Sequence, residues 1–313
     1  MRRGFGVIRQ PPKRSNCSGP RIRRQRSWAS SERFSRMPEL PEVETIRRTL
    51  EPKVRGRVIT GVRVARADVI GYPETGREFA RRLAGRTIRS LSRRGKYLVF
   101  NLSGGAKLVV HLRLSGRLAA VRRRSKVKFE RVRLRLDNGD VLSFVEPRAL
   151  GRMYCLLSSE TPSELAGMRA MGLEPIEPEF DCDYLAGRLK GRKTCVKSVL
   201  LDQRVCSGVG NIYSDEALFR AGIRPTRRAG SLRRFEVRRL ANALRQVLDD
   251  GIKWCGTTMG DGRYLMPDGR EGGFQRHLAA FGREGLQCRR CRATIVATRL
   301  AGRTSRFCPA CQR

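Results

Sequence analysis

The sequence lacks the features that mark several large classes of protein. No apolar run approaches the ~18 residues of a membrane-spanning helix, so we expect no membrane insertion. There is no secretory signal, which favours a reducing compartment. Internal repeats, a Gly-x-Gly-x-x-Gly fingerprint and a Walker-type loop are also missing, and Gly208-Val209-Gly210 is the nearest approach to either glycine motif. These absences argue against a membrane protein, a repeat protein and the common nucleotide-binding folds.

Acidic residues are also scarce. The 313 residues include 29 Asp and Glu against 67 Lys and Arg, a formal net charge of +38. A chain of this length suggests about two domains. Because the basic residues are spread along the whole chain, we expect the folded body to be basic and its partner to be a polyanion. A peripheral protein of anionic membranes is the alternative on charge alone.

Residues 1–36 differ from the rest of the chain. They hold eleven basic residues and one acidic residue, so they carry +10 of the charge and leave +28 for residues 37–313. Their Pro, Ser and Gly content and their lack of apolar periodicity predict disorder. The segment is interpreted as an upstream mis-called start, a basic tail or a transit peptide.

The ten cysteines fall into two groups. Four form the pattern Cys-x2-Cys-x16-Cys-x2-Cys, in which each pair presents two thiolates to one tetrahedral ion. The pattern predicts one structural zinc ion, with two disulfides as the alternative. Its ligands would be Cys288, Cys291, Cys308 and Cys311. The other six are interpreted as small buried thiols: Cys17, Cys155, Cys182, Cys195, Cys206 and Cys255.

Hydropathy periodicity predicts an α+β protein of several domains. A short helix at 41–50 precedes a series of strands with one helix inserted near 75–84, which suggests a β-sandwich. The predicted strands are 58–64, 87–91, 97–102, 107–112, 132–136, 141–144 and 153–157. The predicted helices of the second half are 184–191, 194–201, 212–221 and 231–253. Ser231 is expected to cap the last helix, and residues 286–313 are expected to form a zinc-held β-hairpin.

The motif MPELPEVE, at residues 37–44, carries the most specific chemistry of the chain. Removal of Met37 would leave Pro38 as a secondary amine, whose pKa should lie near the ~8 of an α-amino group. Such an amine can attack a sugar C1′ or a carbonyl carbon and form an iminium. Glu39 would serve as its general acid or base. The alternative is an ordinary helix start with proline and acids in its first turn.

A second motif, DQRVCSGVGNIYSDEAL, spans residues 202–218. Its two glycines between helices allow close backbone approach, and the next helix would offer free N–H groups to a phosphate. Asn211 could donate its side-chain amide to the same oxygen. The alternative is a glycine turn between core helices.

The motif at 37–44, the motif at 202–218 and the cysteine pattern follow one another along the chain in this order. Together they resemble the formamidopyrimidine-DNA glycosylase family over nearly the whole chain after the leader. The resemblance implies an N-terminal catalytic β-sandwich at 37–160, a helix–two-turn–helix domain with a lesion-capping loop at 161–280 and a zinc finger at 281–313. It also implies a monomeric enzyme that removes oxidised purines, such as 8-oxoguanine and formamidopyrimidines, from double-stranded DNA. The abasic site would then be nicked by β,δ-elimination. Endonuclease VIII relatives share the architecture, but residues 40–44 are more similar to the formamidopyrimidine branch.

The resemblance implies roles for four catalytic side chains. Pro38 would form the Schiff base, with Glu39 as its acid/base partner. Lys96 would transfer protons in β-elimination and contact the lesion. Arg303, on the zinc hairpin, would grip a phosphate and assist δ-elimination, and the zinc ion would serve to aim it.

The family also fills the hole that an extruded base leaves in the duplex. The filling groups here would be Leu114, Arg148 and Leu150, where the family usually has methionine, arginine and phenylalanine. Leucine stacks poorly, so opposite-base preference and lesion search are expected to differ. A histidine that the family often carries before the strand at 132 is absent. Phosphate contacts would come from His111, Lys193, Lys197 and Asn211.

Residues 257–275 resemble the loop that caps the flipped base, with a plain surface loop as the alternative. We expect a cytoplasmic, nucleoid-associated location in a bacterium, and organellar targeting by residues 1–36 stays open. If those residues remain attached, the Pro38 nitrogen is a tertiary amide, and a non-catalytic protein that binds damaged DNA becomes the rival. An RNA-binding zinc-ribbon protein is a third candidate, which fits the charge and the cysteines but not residues 37–44.

Overall fold

The computed structural model of the protein describes residues 37–122, 125–260, 262 and 264–313. The basic leader, including Cys17, lies outside these residues, so its disorder stays a prediction. Within the described part, no helix is both long enough and apolar enough to cross a bilayer.

The first helix starts near its predicted position and runs longer than predicted. α1 (Leu40–Val54) has Pro41 in its first turn, and the carboxylate of Glu42 accepts the backbone N–H of Glu39 at 2.9 Å. The prediction ended this helix at residue 50. The helix instead continues through Pro52, because a proline in the last turn removes only one backbone hydrogen bond.

Two sheets enclose a shared apolar core with α1 and a second helix, α2 (Gly76–Leu83), as the predicted β-sandwich requires. The strands are β1 (Ile59–Val64), β2 (Ile70–Tyr72), β3 (Ile88–Arg94), β4 (Tyr97–Leu102), β5 (Lys107–His111), β6 (Arg117–Arg122), β7 (Glu130–Leu136), β8 (Asp140–Val145) and β9 (Arg152–Leu156). One sheet has the order β1-β7-β8-β6, and the other has the order β2-β9-β5-β4-β3. All neighbours are antiparallel except β2 and β9.

Two of these strands are absent from the sequence prediction. β2 is three residues long, and β6 contains arginine and alanine where bulky apolar residues would give a strand-like alternation. A tertiary contact also holds β6, since its Ala120 N–H donates to the carbonyl of Pro267 at 3.0 Å. Local sequence does not encode that partner.

The second half is helical, as predicted. Its helices are α3 (Ala166–Arg169), α4 (Cys182–Leu189), α5 (Val196–Leu201), α6 (Asn211–Ala221) and α7 (Arg234–Lys253). The predicted cap of the last helix is wrong, because Ser231 Oγ donates back to the carbonyl of Arg228 at 2.8 Å. The N-cap residue is instead Arg233, whose N–H donates to the Glu236 carboxylate at 2.8 Å.

The chain ends in the expected hairpin, formed by β10 (Val296–Leu300) and β11 (Arg303–Phe307). The segment that leads into this hairpin is bound to α6. Three of its backbone N–H groups donate to the buried carboxylate of Glu216, which lies on α6. The donors are Ala279 at 2.9 Å, Ala280 at 2.8 Å and Phe281 at 2.8 Å. Three hydrogen bonds to one buried charge fasten this segment firmly to α6.

Burial separates the scattered cysteines of the described residues into two kinds. Cys155 and Cys206 are buried, as predicted, whereas Cys182, Cys195 and Cys255 are half-buried.

Candidate active site

Glu39 is buried between the start of α1 and the start of α6. Its carboxylate accepts the backbone N–H groups of Gly210 at 2.6 Å, Ile212 at 2.9 Å and Tyr213 at 3.4 Å. A Cβ at Gly210 would lie 2.5 Å from Glu39 Oε1, so only glycine allows this approach. The free N–H groups that the sequence predicted for a phosphate therefore bind Glu39 instead.

A second buried carboxylate, that of Glu42, lies close to Glu39. It accepts the Tyr213 hydroxyl at 2.7 Å, the Thr257 N–H at 2.8 Å and the Glu39 N–H at 2.9 Å. Burial, reinforced by the nearby charge of Glu39, raises the pKa of Glu42 to about 7. Sequence analysis gave Glu42 no role, because its partners lie far away in the chain.

Lys96 supplies the positive charge of this pocket. Its side chain is buried, and burial lowers its pKa. Glu39 acts in the opposite direction, and Arg303 lowers the Lys96 pKa further. Burial likewise raises the pKa of Glu39, against the charge of Lys96 and the three backbone donors. Pro38 is buried next to Glu39, so four groups form what we call the amine pocket: Pro38, Glu39, Glu42 and Lys96.

The turn that carries Lys96 is fixed by a glutamate that the sequence analysis missed. Glu174 accepts the Gly95 N–H at 2.7 Å and forms an ion pair with Arg93 at 2.7 Å. Both charged side chains are less than 10 % exposed. Glu174 therefore holds the β3–β4 turn against the second half of the chain, 79 residues away in sequence.

The four cysteines of the hairpin form a cluster that fits zinc. Their Sγ atoms all lie within 4.8 Å of one another, with 3.9 Å between Cys288 and Cys311 and 3.4 Å between Cys291 and Cys308. Tetrahedral zinc with thiolate bonds of ~2.3 Å places sulfur atoms ~3.8 Å apart. Four thiolates close the coordination sphere, so the ion is structural.

Helix α6 also holds the strand of the hairpin that begins with Arg303. Asn211 Nδ2 donates to the carbonyl of Thr304 at 3.1 Å, while Asp215 accepts the Ser305 hydroxyl at 2.7 Å and the Arg306 N–H at 3.1 Å. Arg303 itself is exposed at the start of this strand. The same helix thus anchors Glu39 at its first turn and the hairpin along its side.

Lys197 and Lys193 have different surroundings. Lys197 is 1 % exposed, forms an ion pair with Asp215 and donates to the carbonyl of Asn211 at 3.3 Å. Its charge is therefore compensated inside the protein by Asp215 of α6. Lys193 is exposed, and its ammonium is accessible from solvent.

His111 is buried and uncharged. Its Nδ1 accepts the Arg113 N–H at 3.0 Å, so the ring proton lies on Nε2, which remains a donor. Burial lowers the pKa of His111 to about 3, and the charges of Arg113 and Lys96 act in the same direction. A contact with a phosphate would therefore be a neutral hydrogen bond.

The residues expected to fill the hole in the duplex lie in two loops. Leu114 follows β5, whereas Arg148 and Leu150 follow β8. Leu150 is 40 % exposed, and Leu114 and Arg148 are half-buried. An exposed apolar side chain beside a cationic one suits insertion into a base stack.

The expected capping loop is anchored at both ends. The Gly273 N–H donates to the Trp254 carbonyl at 2.7 Å, and the Phe274 N–H donates to the Gly256 carbonyl at 3.0 Å. Tyr264 is buried in the core of the β-sandwich. Thr257 and Thr258 in the first part of the loop are also buried, whereas residues 268–271 are exposed.

Three family models match the chain in succession. They are the formamidopyrimidine-DNA glycosylase N-terminal domain at residues 37–153, the formamidopyrimidine-DNA glycosylase H2TH domain at 171–261 and the zinc finger found in FPG and IleRS at 285–313.

Individual relatives agree with these matches. The formamidopyrimidine-DNA glycosylase of Moorella thermoacetica is 47% identical over 256 residues, which cover 82% of this chain and 92% of the relative. That of Pelotomaculum thermopropionicum is 42% identical over 88% of this chain and 99% of the relative. The crystal structure of MutM (Fpg) from Thermus thermophilus has 40% identity and a TM-score of 0.79, covering 88% of this chain and 98% of its own. A Lactococcus lactis Fpg mutant in complex with a Fapy-dG containing DNA has 30% identity and a TM-score of 0.81, covering 88% of this chain and 100% of its own.

Proposed function

The chain belongs to the formamidopyrimidine-DNA glycosylase family, and we propose that it excises oxidised purines through a Schiff base on Pro38 and then cuts the strand by β,δ-elimination. It is a DNA glycosylase and abasic-site lyase that acts on damaged double-stranded DNA and holds one structural zinc ion. The details of bond cleavage are the proposed part.

One observation carries the proposal. A buried carboxylate, Glu39, is held next to buried Pro38 by the backbone donors of α6, with the charge of Lys96 nearby. An amine, a carboxyl with a raised pKa and a lysine with a lowered pKa are the groups that covalent and acid/base catalysis by an amine requires.

The first step joins Pro38 to the sugar. The amine nitrogen bonds to C1′ as the glycosidic bond breaks, and the departing base takes the bonding pair and a proton. The Pro38 nitrogen then gives its proton to Glu39, and Glu39 delivers a proton to O4′ as the C1′–O4′ bond breaks, so the sugar ring opens and C1′ becomes the iminium carbon. The buried position favours this, since water competes poorly for the iminium.

The second step breaks the DNA backbone. Removal of the C2′ proton by a base, for which Lys96 is suited by its lowered pKa, expels the 3′ phosphate. Arg303 binds the phosphate that leaves in the second, δ, elimination. Hydrolysis of the iminium restores the amine. Zinc acts in neither step and holds the strand that begins with Arg303.

DNA contacts complete the proposal. His111, Lys193 and Asn211 bind phosphates. Lys197 stabilises Asn211 by donating a hydrogen bond to its backbone carbonyl. Leu114, Arg148 and Leu150 fill the space that the extruded base leaves. The residue ranges given above for the three domains, and the nucleoid location, remain expectations.

Borohydride trapping tests the proposal, because hydride reduces the iminium to a stable amine. Residues 37–313 without Met37 should become covalently attached to an 8-oxoguanine duplex, and Pro38→Gly should trap much more weakly. The full 313-residue chain with cleavage blocked should bind DNA without forming an adduct, because an amide nitrogen has no free lone pair. Equal trapping by the intact long chain would contradict Pro38 as the nucleophile, and binding without any reaction by both forms would favour a non-catalytic role.

A further inference from the structure

One fully buried carboxylate joins the two loops that carry the duplex-filling residues. These loops, residues 112–116 and 146–151, are called the wedge loops here. Glu146 accepts the Arg148 N–H at 3.0 Å and the Gly151 N–H at 2.8 Å within its own loop. It also accepts the hydroxyl of Ser115 from the other loop.

Two glycines make room for this carboxylate. A Cβ at Gly151 would lie 2.9 Å from Glu146 Oε2, and a Cβ at Gly116 would lie 3.1 Å from the same atom. Each wedge loop thus has a glycine where the carboxylate approaches its backbone. The arrangement is a specific fit between two loops rather than an isolated turn.

Ser115 provides the bridge between the loops. Its Oγ donates to Glu146 and accepts Arg148 Nε at 3.2 Å. A chain of carboxylate, hydroxyl and guanidinium therefore crosses from one wedge loop to the other. The residue before Ser115 is Leu114, so the bridge lies next to one filling group and includes another.

We propose that Glu146 and Ser115 are positioning residues that make the two wedge loops enter the duplex as one preordered unit. This rests on the function proposed above. Unstacking a base step costs several kcal/mol, and a loop that had to be ordered at the same moment would add its conformational entropy to that cost. Preordering removes the second contribution.

The proposal predicts different effects on two reactions of the same protein, base excision and cleavage at a preformed abasic site. Excision of a paired, stacked base requires the wedge loops to open the duplex and keep it open. A preformed abasic site contains no base to extrude, so its cleavage depends far less on the wedge. A defect confined to the bridge should slow base excision and spare cleavage of abasic DNA.

The test uses Ser115→Ala with Ser143→Ala as its matched control. Ser143 is buried, whereas Ser115 is half-buried, but Ser143 likewise donates its hydroxyl to a carboxylate, that of Glu130, on the face of β8 turned away from the sandwich core. In single-turnover assays, Ser115→Ala should slow excision of 8-oxoguanine opposite cytosine about tenfold, the range expected for loss of a hydrogen bond to a charged group. Cleavage of a duplex with a preformed abasic site should be unchanged, and Ser115→Thr, which keeps the hydroxyl, should restore excision. Ser143→Ala should leave both rates unchanged.

Glu146→Gln should have the stronger effect. The amide keeps the volume of the side chain, but its NH2 group would face one of the groups that now donate a hydrogen bond to Glu146, so that hydrogen bond would be lost. The variant should lose more excision than Ser115→Ala with the same selectivity. Equal excision by Ser115→Ala and Ser143→Ala, or an equal loss on both substrates, would overturn the proposal. Failure of the proposed function gives a different result, since the unaltered protein would then form no borohydride adduct.

Discussion

The amine pocket and the wedge loops both depend on buried glutamates, yet they differ in what they leave open to solvent. In the pocket, burial raises the pKa of Glu39, the proposed acid/base group, and of Glu42 beside it. In the wedge loops, Glu146 is buried while Leu150 remains 40 % exposed.

This difference separates two uses of a buried charge. In the pocket, desolvation sets protonation states before DNA arrives. In the wedge loops, the buried charge orders backbone so that neutral and cationic groups reach outward. Changes in the pocket should therefore affect chemistry and pH dependence, whereas changes in the loops should affect which base is extruded.

The largest effect should come from Glu39→Gln. It retains the shape but removes the proton acceptor, so base excision should fall about 10³-fold or more while DNA affinity is retained. Single-turnover excision and a binding titration on the same duplex measure the two properties. Glu164→Gln, at an exposed carboxylate, is the control, and substantial excision by Glu39→Gln would contradict its role.

The next effect concerns stability and pH. Glu42 has a folded-state pKa of about 7, above its ordinary 4.5, so the stability it contributes is fully present below pH 4.5 and is lost as the pH rises through 7. Between pH 4.5 and pH 8, the free energy of unfolding should fall by up to ~3 kcal/mol relative to Glu42→Gln.

Glu44 provides the control of opposite sign. Although burial opposes the shift, hydrogen bonds from Arg47 and Arg48 and the charge of Arg93 lower its pKa to about 2. Its contribution to stability is therefore lost only as the pH falls from 4.5 through 2, so Glu44→Gln should show no comparable change between pH 4.5 and pH 8. Parallel curves for Glu42→Gln and the unaltered protein would refute the assignment.

Removal of the metal should have a smaller effect on chemistry and a clear effect on binding. Cys308→Ser should lose zinc and weaken DNA affinity at least tenfold, because β11 and Arg303 lose their support. Arg303→Ala should retain zinc and lose binding or δ-elimination. Metal analysis and product analysis distinguish the two, with Cys182→Ser as the cysteine control. Normal cleavage by the metal-free protein would show that zinc does not position Arg303.

The smallest effect should follow from Leu150→Phe. An aromatic ring stacks on a base better than leucine does, so the ratio of excision opposite cytosine to excision opposite adenine should change about threefold. Leu150→Ala should change the ratio in the other direction. Equal ratios for all three proteins would remove Leu150 from base discrimination.

Much of this architecture was predictable from local sequence. The zinc ligands, the family, the sandwich and the helical half were confirmed, and β4 has its predicted bounds. Proline next to glutamate at a helix start, and paired cysteines at fixed spacing, are signals within a few residues. Such signals do not require distant residues to be known.

What the sequence did not reveal depends on distant partners. Glu42 and Glu174 look like ordinary helix and loop acids until Thr257 and Gly95 are placed beside them. The glycine motif predicted donors correctly but not their acceptor, because Glu39 lies 171 residues from Gly210. Burial and long-range pairing, which decide these roles, have no local signature.

The contact between Glu39 and α6 also orders events during protein synthesis. Residues 38 and 39 leave the ribosome long before residues 210–213, so the nascent chain has the proposed nucleophile without the donors that hold the Glu39 carboxylate. The hairpin that carries Arg303 is made later still. A chain interrupted before it would hold an unfinished site, so the proposed cleavage of DNA becomes possible only after the hairpin has been synthesised.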